Sequence, residues 1–366
     1  MSCRANGGQA VWAMIVKEFR QLRRDRRTLA MMIFMPIMLL VVFGYAASFD
    51  VSTIPVRVVG PGAERVAAVL PPPFDVQDVR PGADRADAEA ALRDGKAPVA
   101  FVATGADVTV LLDGSELFIA NATKAAFAQL AERIPEGITA RVDVLFNEDL
   151  ATSAIMVPGL AAMILLFVGT VITSLGVVRE RQAGTLEQLA VMPLRPTDVF
   201  LGKIAPYFVV AAVDMALVIV AGIWLFDVPF RGSVVILGLG ALLFLFVTLG
   251  IGVLISSVSE NQGQAIQLAL MTLLPQVMLS GLIFPLSSMA SGVRWIGYLL
   301  PLTYFIQISR GVMLRGAPID ALWAPFLYLA IIGAVVFGLA TLRFRRSLAP
   351  AGGGGSREVV AEGVPA

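Results

Sequence analysis

Apolar residues fall along this chain in long runs, separated by polar stretches of very unequal length. A helix rises 1.5 Å per residue and the hydrocarbon core of a bilayer is about 30 Å thick, so about 20 mostly apolar residues make one crossing. Six runs reach that length: residues 28–48, 155–178, 204–226, 234–258, 265–285 and 321–342. Several contain Gly or Pro, which membrane helices tolerate better than water-soluble ones. The first run is not a removable secretion signal, because its apolar core is too long and no small-residue cleavage site follows it. The pattern predicts an α-helical polytopic membrane protein with six transmembrane helices.

Between the first two runs the pattern changes. Residues 49–154 are charged and Pro-containing, and long enough for a small folded domain. Short apolar runs alternate with turn signals: IPVRVVG, PPPFDVQDV, APVAFVATG and DVTVLLDGS. ELFIANATKAAFAQLAERI reads as an amphipathic helix, with Leu117, Phe118, Ala122, Ala125, Ala126 and Leu130 near one face, and ITARVDVLF reads as a returning strand. The expectation is a mixed α/β extracytoplasmic domain. Its sixteen acidic residues are scattered and form no D-x-D-x-D-G loop, so they read as a solvated surface and not as a metal site.

Charge sets the orientation. Lys17, Arg20, Arg23, Arg24, Arg26 and Arg27 precede the first run, and basic residues favour the cytoplasmic side. Six crossings then place both ends in the cytoplasm. Arg343, Arg345 and Arg346 after the last run agree, as do Arg179, Arg181, Arg195 and Lys203 after the second. Arg310 and Arg315 are exceptions, on the predicted outer side. They lie in residues 286–320, a semi-apolar stretch read as partly re-entrant or lying along the interface, with Trp295, Tyr298 and Tyr304 as anchors at headgroup level. Residues 1–27 should form an amphipathic helix in the inner interface, since Trp12, Ile15, Val16, Phe19 and Leu22 share a face opposite the basic one. Residues 155–346 hold the second to sixth spans, and 347–366, which include GGGGS, read as a flexible cytoplasmic tail.

Composition narrows the function classes. Of the 366 residues, 57% are hydrophobic and only 15% charged, too few charges to cover an ordinary water-soluble enzyme. The net charge of +1 is a cancellation, because the predicted inner segments sum to about +7 and the outer domain to about −7. Such a balance argues against nucleic acid as a partner. Histidine is absent, which excludes His-based triads, metal sites and proton relays. Cys3 is the single cysteine. No G-x-x-x-x-G-K-[ST] phosphate loop occurs, and Gly95-Lys96 and Gly202-Lys203 lack its spacing.

Three features remain as candidates. In the inner loop after the second span, Thr185 can cap a short helix starting at Leu186, with Gln188 in its third position, before Pro193 and Pro196 stop it. A short helix at 180–192, tied to two spans, can transmit force from a cytoplasmic partner. Asp214 stands in mid-membrane, where a charge costs roughly 2.5 to 3.5 kcal/mol on insertion scales. It reads either as a path or proton-coupling residue or as a hydrogen-bonding group between helices. Gln264, Gln267, Gln276 and Ser280 with Pro275 make the fifth span polar, as a path lining or as helix–helix contacts. A membrane-embedded enzyme and a membrane scaffold are the alternative functions.

RERQAGTLEQLAVMPL followed by LGK resembles the ABC-2 type transporter permeases, the membrane subunits of bacterial ATP-driven exporters. FNEDLATSAIMVPGLAAMIL, FDVPFRGS, NQGQAIQLALMTLLPQVMLSGLIFPLSSM and PLTYFIQISRGVMLRG are also similar to stretches of that family, over about residues 10–346. Gln182 departs from the family's frequent Glu. The long first outer loop resembles the multidrug and antibiotic exporter subgroup. The resemblance implies a multi-pass protein of the bacterial inner membrane, paired with a second permease copy or paralogue. It implies a separate ABC ATPase subunit that carries ATP and Mg, so that this chain needs no cofactor. It assigns ATPase contact to Glu180, Gly184, Thr185, Leu186, Glu187, Gln188 and Leu189. Asp214, Gln267 and Gln276 are then the candidates for the translocation path of a hydrophobic or amphipathic small molecule.

Overall fold

A computed structural model describes residues 16, 17, 20, 24–46, 53–105, 107–131, 139–184 and 196–348. The expected interfacial helix at 1–27 and the tail at 347–366 lie almost wholly outside the described residues. The first apolar run forms helix α1 (Arg26–Ala46). Asp25 starts it: its carboxylate accepts from the Thr28 amide at 3.0 Å and from the Thr28 hydroxyl at 2.5 Å.

The polar insertion folds as an α/β domain. Its elements are β1 (Ile54–Val59), α2 (Ala63–Val69), β2 (Phe74–Arg80), α3 (Arg85–Arg93), β3 (Val99–Thr104), β4 (Asp107–Asp113), α4 (Leu117–Ala131) and β5 (Thr139–Leu145). The five strands form one sheet in the order β2-β1-β3-β4-β5. Strands β3 and β4 are antiparallel, and the other neighbours are parallel. Side chains alternate faces along a strand, so the sheet has two apolar faces. One carries Ile54, Val56, Phe101 and Leu112, covered by α2 and by Ile119 and Phe127 of α4. The other carries Val59, Ala100, Val102 and Leu111, covered by Ala88 and Leu92 of α3. Helix α3 is opened by a capping box, in which Asp84 and Asp87 each accept from the other's backbone N–H.

Asn147 joins this domain to the bundle. Its side chain donates to the carbonyls of Gly114 and Ala151, each at 3.1 Å, and accepts from the Ala151 amide at 2.9 Å. Helix α5 (Thr152–Gln182) follows, with a π-helical turn at Val168–Ile172. Then come α6 (Pro196–Phe226), α7 (Val234–Val258), α8 (Gln262–Leu279), α9 (Ser291–Gly297), α10 (Pro301–Arg310) with a π-helical turn at Gly311–Arg315, and α11 (Ile319–Leu348). Among the described residues, four helices are long and apolar enough to cross a membrane: Thr152–Gln182, Phe208–Phe226, Val234–Val258 and Ile319–Arg343.

The fifth expected span is shorter than the apolar run that predicts it. Helix α8 stops at Leu279 after 18 residues, where Ser280 and Gly281 break it, the latter at φ 86°. Eighteen residues rise only about 27 Å. In the segment after it, one of the three expected anchors differs. Helix α10 enters the helical core, with Leu302, Phe305 and Ile308 fully buried and Phe305 stacked on Phe244 of α7 at 4.6 Å. Tyr304 is therefore no surface anchor. It is buried, its hydroxyl donates to the Tyr298 carbonyl, and its ring stacks on Tyr328. Trp295 and Tyr298 remain exposed, as that expectation requires.

Small residues let two central helices touch. Gly169 and Thr173 on α5 face Thr248 and Gly252 on α7, and a Cβ on Gly252 would lie 2.7 Å from the Gly169 carbonyl oxygen. This is the close backbone approach that membrane helices use where lipid gives no hydrophobic driving force.

Candidate functional site

The ends of four helices are tied by polar contacts. Arg181, in the last turn of α5, donates to the Ser259 carbonyl at 3.1 Å. Gln262 donates to the Gln182 side chain at 3.0 Å. The Gln264 side chain accepts from the Glu260 amide at 3.0 Å and donates to Asp25 at 3.3 Å. Arg27 pairs with Glu260 at 2.5 Å, with both side chains well exposed. Thus the end of α5, the α7–α8 turn and the start of α1 form one polar knot. The Asp25 carboxyl is held below the usual carboxylate range, first by the Thr28 hydroxyl and then by the Thr28 amide.

The knot sits directly before the segment singled out in the sequence. Glu180 belongs to the last turn of α5 and not to a separate short helix. Ala183 and Gly184 end that helix, and Gly184 takes φ 72°, a left-handed conformation that glycine adopts without strain. Thr185, Leu186, Glu187, Gln188 and Leu189 lie outside the described residues.

The intramembrane polar residues are not gathered into one place. Asp214 is half-buried on α6, a helix that packs chiefly on the first part of α5, and it has no hydrogen bond among the described residues. Gln267 and Gln276 are on α8, which packs chiefly on α1. Gln276 is 1% exposed, and its side-chain carbonyl oxygen, like that of Gln267, has no partner among the described residues.

A second polar locus was not anticipated. Where the domain meets the bundle lies a cavity of about 560 Å³, lined from one side by Asp94, Asp113 and Glu116 and from the other by Ser280, Arg310 and Arg315. Arg315 donates to Asp113 at 3.2 Å, with the two side chains 11% and 1% exposed. Gly95 makes room for that guanidinium: a Cβ there would sit 3.2 Å from its terminal nitrogens, and its φ is 72°. Arg310 donates to the carbonyls of Gly281 and Leu282 at 3.4 and 3.3 Å, so a cation meets two backbone carbonyls in the turn just beyond α8. Burial pushes the Glu116 carboxyl above the usual range, and Arg310 only partly offsets this. The signal that could have found the locus was in the sequence, because Arg310 and Arg315 are the two positive charges that fall on the predicted outer side.

A bundle of membrane-crossing helices with an α/β insertion and a polar knot at one end is compatible with a membrane permease. The chain belongs to the ABC-2 family of transporter proteins, whose model, ABC-2 family transporter protein, matches residues 26–342. It is a transport permease subunit of that family. It is 31% identical to the probable multidrug ABC transporter permease YbhS of Escherichia coli (strain K12), over 92% of this chain and 97% of that one. It is 27% identical to the probable multidrug ABC transporter permease YbhR of the same organism, over 92% and 99% of the two chains. It is also 35% identical to the inner membrane transport permease YhhJ of that organism, over 49% of this chain and 48% of that one.

Proposed function

We propose that this chain forms half of the membrane path of an ATP-driven exporter of the bacterial inner membrane. It crosses six times, with α1 and α8 as the first and fifth spans, both ends in the cytoplasm and the α/β domain outside. A second permease copy or a paralogue completes the path. The cargo is a hydrophobic or amphipathic small molecule, a class supported by the names of the YbhS and YbhR relatives. ATP and Mg are bound by a separate ABC ATPase subunit, consistent with the missing phosphate loop.

One observation carries this reading: the inner knot fastens Gln182 to Gln262 immediately before the 185–189 segment. An ATPase that presses on residues 180–189 moves the end of α5. The Arg181–Ser259 and Gln182–Gln262 bonds pass that displacement to the α7–α8 turn. Gln264 passes it to Asp25 and so to α1. A push at one loop thereby shifts four helices together, α5, α7, α8 and α1, without any chemistry on this chain. Asp214, Gln267 and Gln276 are the polar groups that such a shift brings to the path.

The docking assignment is tested by Glu187→Arg. Membrane insertion stays normal, while association with the ATPase subunit and stimulation of its hydrolysis both fall. Co-purification and phosphate release measure the two. Unchanged association and unchanged hydrolysis in Glu187→Arg overturn the assignment.

A further inference from the structure

The cavity between the α/β domain and the helices holds buried donors that the coupling scheme does not use. Arg310 is 8% exposed, and the Arg315 side chain is 11% exposed. The Nε–H of each is buried without a partner among the described residues. Arg310 spends its two outer nitrogens on the Gly281 and Leu282 carbonyls, at 3.4 and 3.3 Å, and Arg315 spends one on Asp113. On each guanidinium, Nε and the outer nitrogen beside it form a planar fork that matches the oxygens of an oxyanion. Ser280, on the same wall, is 2% exposed, and its hydroxyl is also buried without a partner. A buried donor with no acceptor is costly, and more so when it is charged.

Charge points the same way. The two guanidinium groups share one enclosed space. A Cβ on Gly311 would lie 3.3 Å from an outer nitrogen of Arg315, so that side chain folds back over the residue next to Arg310. The acids of the wall are mostly spent elsewhere. Asp94 is taken by Lys96 at 2.8 Å and by Arg93 at 3.5 Å. Asp113 accepts from the Ser115 amide and hydroxyl as well as from Arg315. Asp320 is exposed in the first turn of α11. Glu116 is half-buried and acts on Arg310 only through space, with no ion pair to it among the described residues. Arg310 is thus a buried cation without a bonded anion, and a second buried cation stands beside it.

We propose that this cavity binds the phosphate group of an ester, through the Arg310 and Arg315 forks with the Ser280 hydroxyl as third donor. Donors on two guanidinium planes and on the end of α8 suit a tetrahedral oxyanion better than a planar carboxylate. The anion is held by charge-assisted bonds and relieves the repulsion between the two arginines. The cavity, of about 560 Å³, leaves room beyond the phosphate and reaches Leu322 and Trp323, the latter 62% exposed, where the organic part of the ester lies. The phosphate belongs either to a free ester or to the headgroup of a phospholipid from the bilayer, and both present the same oxygens. This binding does not rest on the export function proposed above.

The test uses the full chain in maltoside detergent and phosphate-free buffer, without ATP or ATPase, so that it stands or falls separately from the export reading. Glycerol phosphate is titrated by calorimetry. Retention of phosphatidylglycerol is followed by native mass spectrometry, with diacylglycerol as the counterpart that lacks phosphate. Saturable binding of at least one of the two phosphates is expected, weakened about tenfold or more in Arg310→Lys, which keeps the charge and loses the fork, and several-fold in Ser280→Ala. Glu116→Gln removes the opposing charge and tightens binding several-fold, whereas Arg141→Gln, exposed on β5, leaves it unchanged. Binding of glycerol phosphate without retention of phosphatidylglycerol identifies a free ester as the ligand, and retention of phosphatidylglycerol identifies the lipid. Binding of neither, equal retention of diacylglycerol, or wild-type affinity in both Ser280→Ala and Glu116→Gln overturns the proposal, whether or not Arg310→Lys folds.

Discussion

In the α/β domain the large apolar side chains that reach the surface are Val69 and Val79 among the described residues. In helix α6, Val209, Val213, Leu217, Val220 and Trp224 are each more than half exposed. Both regions have closed apolar cores, so the difference is not in how well they fold. It lies in the solvent each outer face is built for. The domain surrounds its sheet with charge, as water requires, whereas the helices bury backbone polarity within themselves and leave their apolar faces out, as hydrocarbon requires. The same division explains where the polar residues go. In the domain most are outside, with Asp113, Ser115 and Thr123 as buried exceptions, and in the bundle they are inside or at the helix ends, at Gln276, Thr170, Thr173 and the knot around Gln264.

The junction between the two regions is where the largest effect is expected. Arg315→Ala leaves Asp113 as a buried charge without its partner, a loss of about 3–5 kcal/mol. Thermal unfolding in detergent measures it, and Asp113→Ala with Arg315→Ala together recovers most of the loss. If the single and double variants are equally unstable, the pair is not what joins domain to bundle. A somewhat smaller effect separates the two solvents directly. Leu217→Lys costs roughly 2.5–3.5 kcal/mol of insertion and lowers the amount of membrane-integrated protein, whereas Val69→Lys, at a position 75% exposed, changes nothing measurable. Equal outcomes would erase the distinction drawn above. The gentlest effect is a pH slope. Burial raises the Glu116 carboxyl above its ordinary value, so the folded protein holds that proton more tightly than the unfolded chain. Stability therefore falls as the pH rises from the ordinary glutamate value toward the raised one. Glu116→Gln flattens the slope, as followed by unfolding temperature across that range.

The domain was legible because its signals are local. IPVRVVG, APVAFVATG and DVTVLLDGS each contain an observed strand, and the run at 117–131 is the helix expected there. Helix α3 was missed, although Asp84 and Asp87 have the spacing of a capping box and the signal was present. The membrane-crossing helices were legible from apolar length alone. What was not legible is long-range. Asp113 and Arg315 are 202 residues apart, and no periodicity connects them. The end of α8 was misplaced by the apolar run, which continues past Gly281, while the backbone turns there. The G-x-x-x-T of Gly169 and Thr173 and the T-x-x-x-G of Thr248 and Gly252 could have predicted that α5 and α7 pack closely.

In the proposed mechanism the polar knot is the point at which motion enters the bundle, and a separate ATPase chain supplies the energy for that motion. The direct test is transport in proteoliposomes that contain this permease with its co-purified ABC ATPase subunit and a fluorescent amphipathic amine outside. With the nucleotide sites facing the bath, ATP and Mg drive uptake that vanadate abolishes, and omission of the ATPase subunit removes it. Uptake that proceeds without that subunit, or a purified chain that never recruits one, contradicts the account.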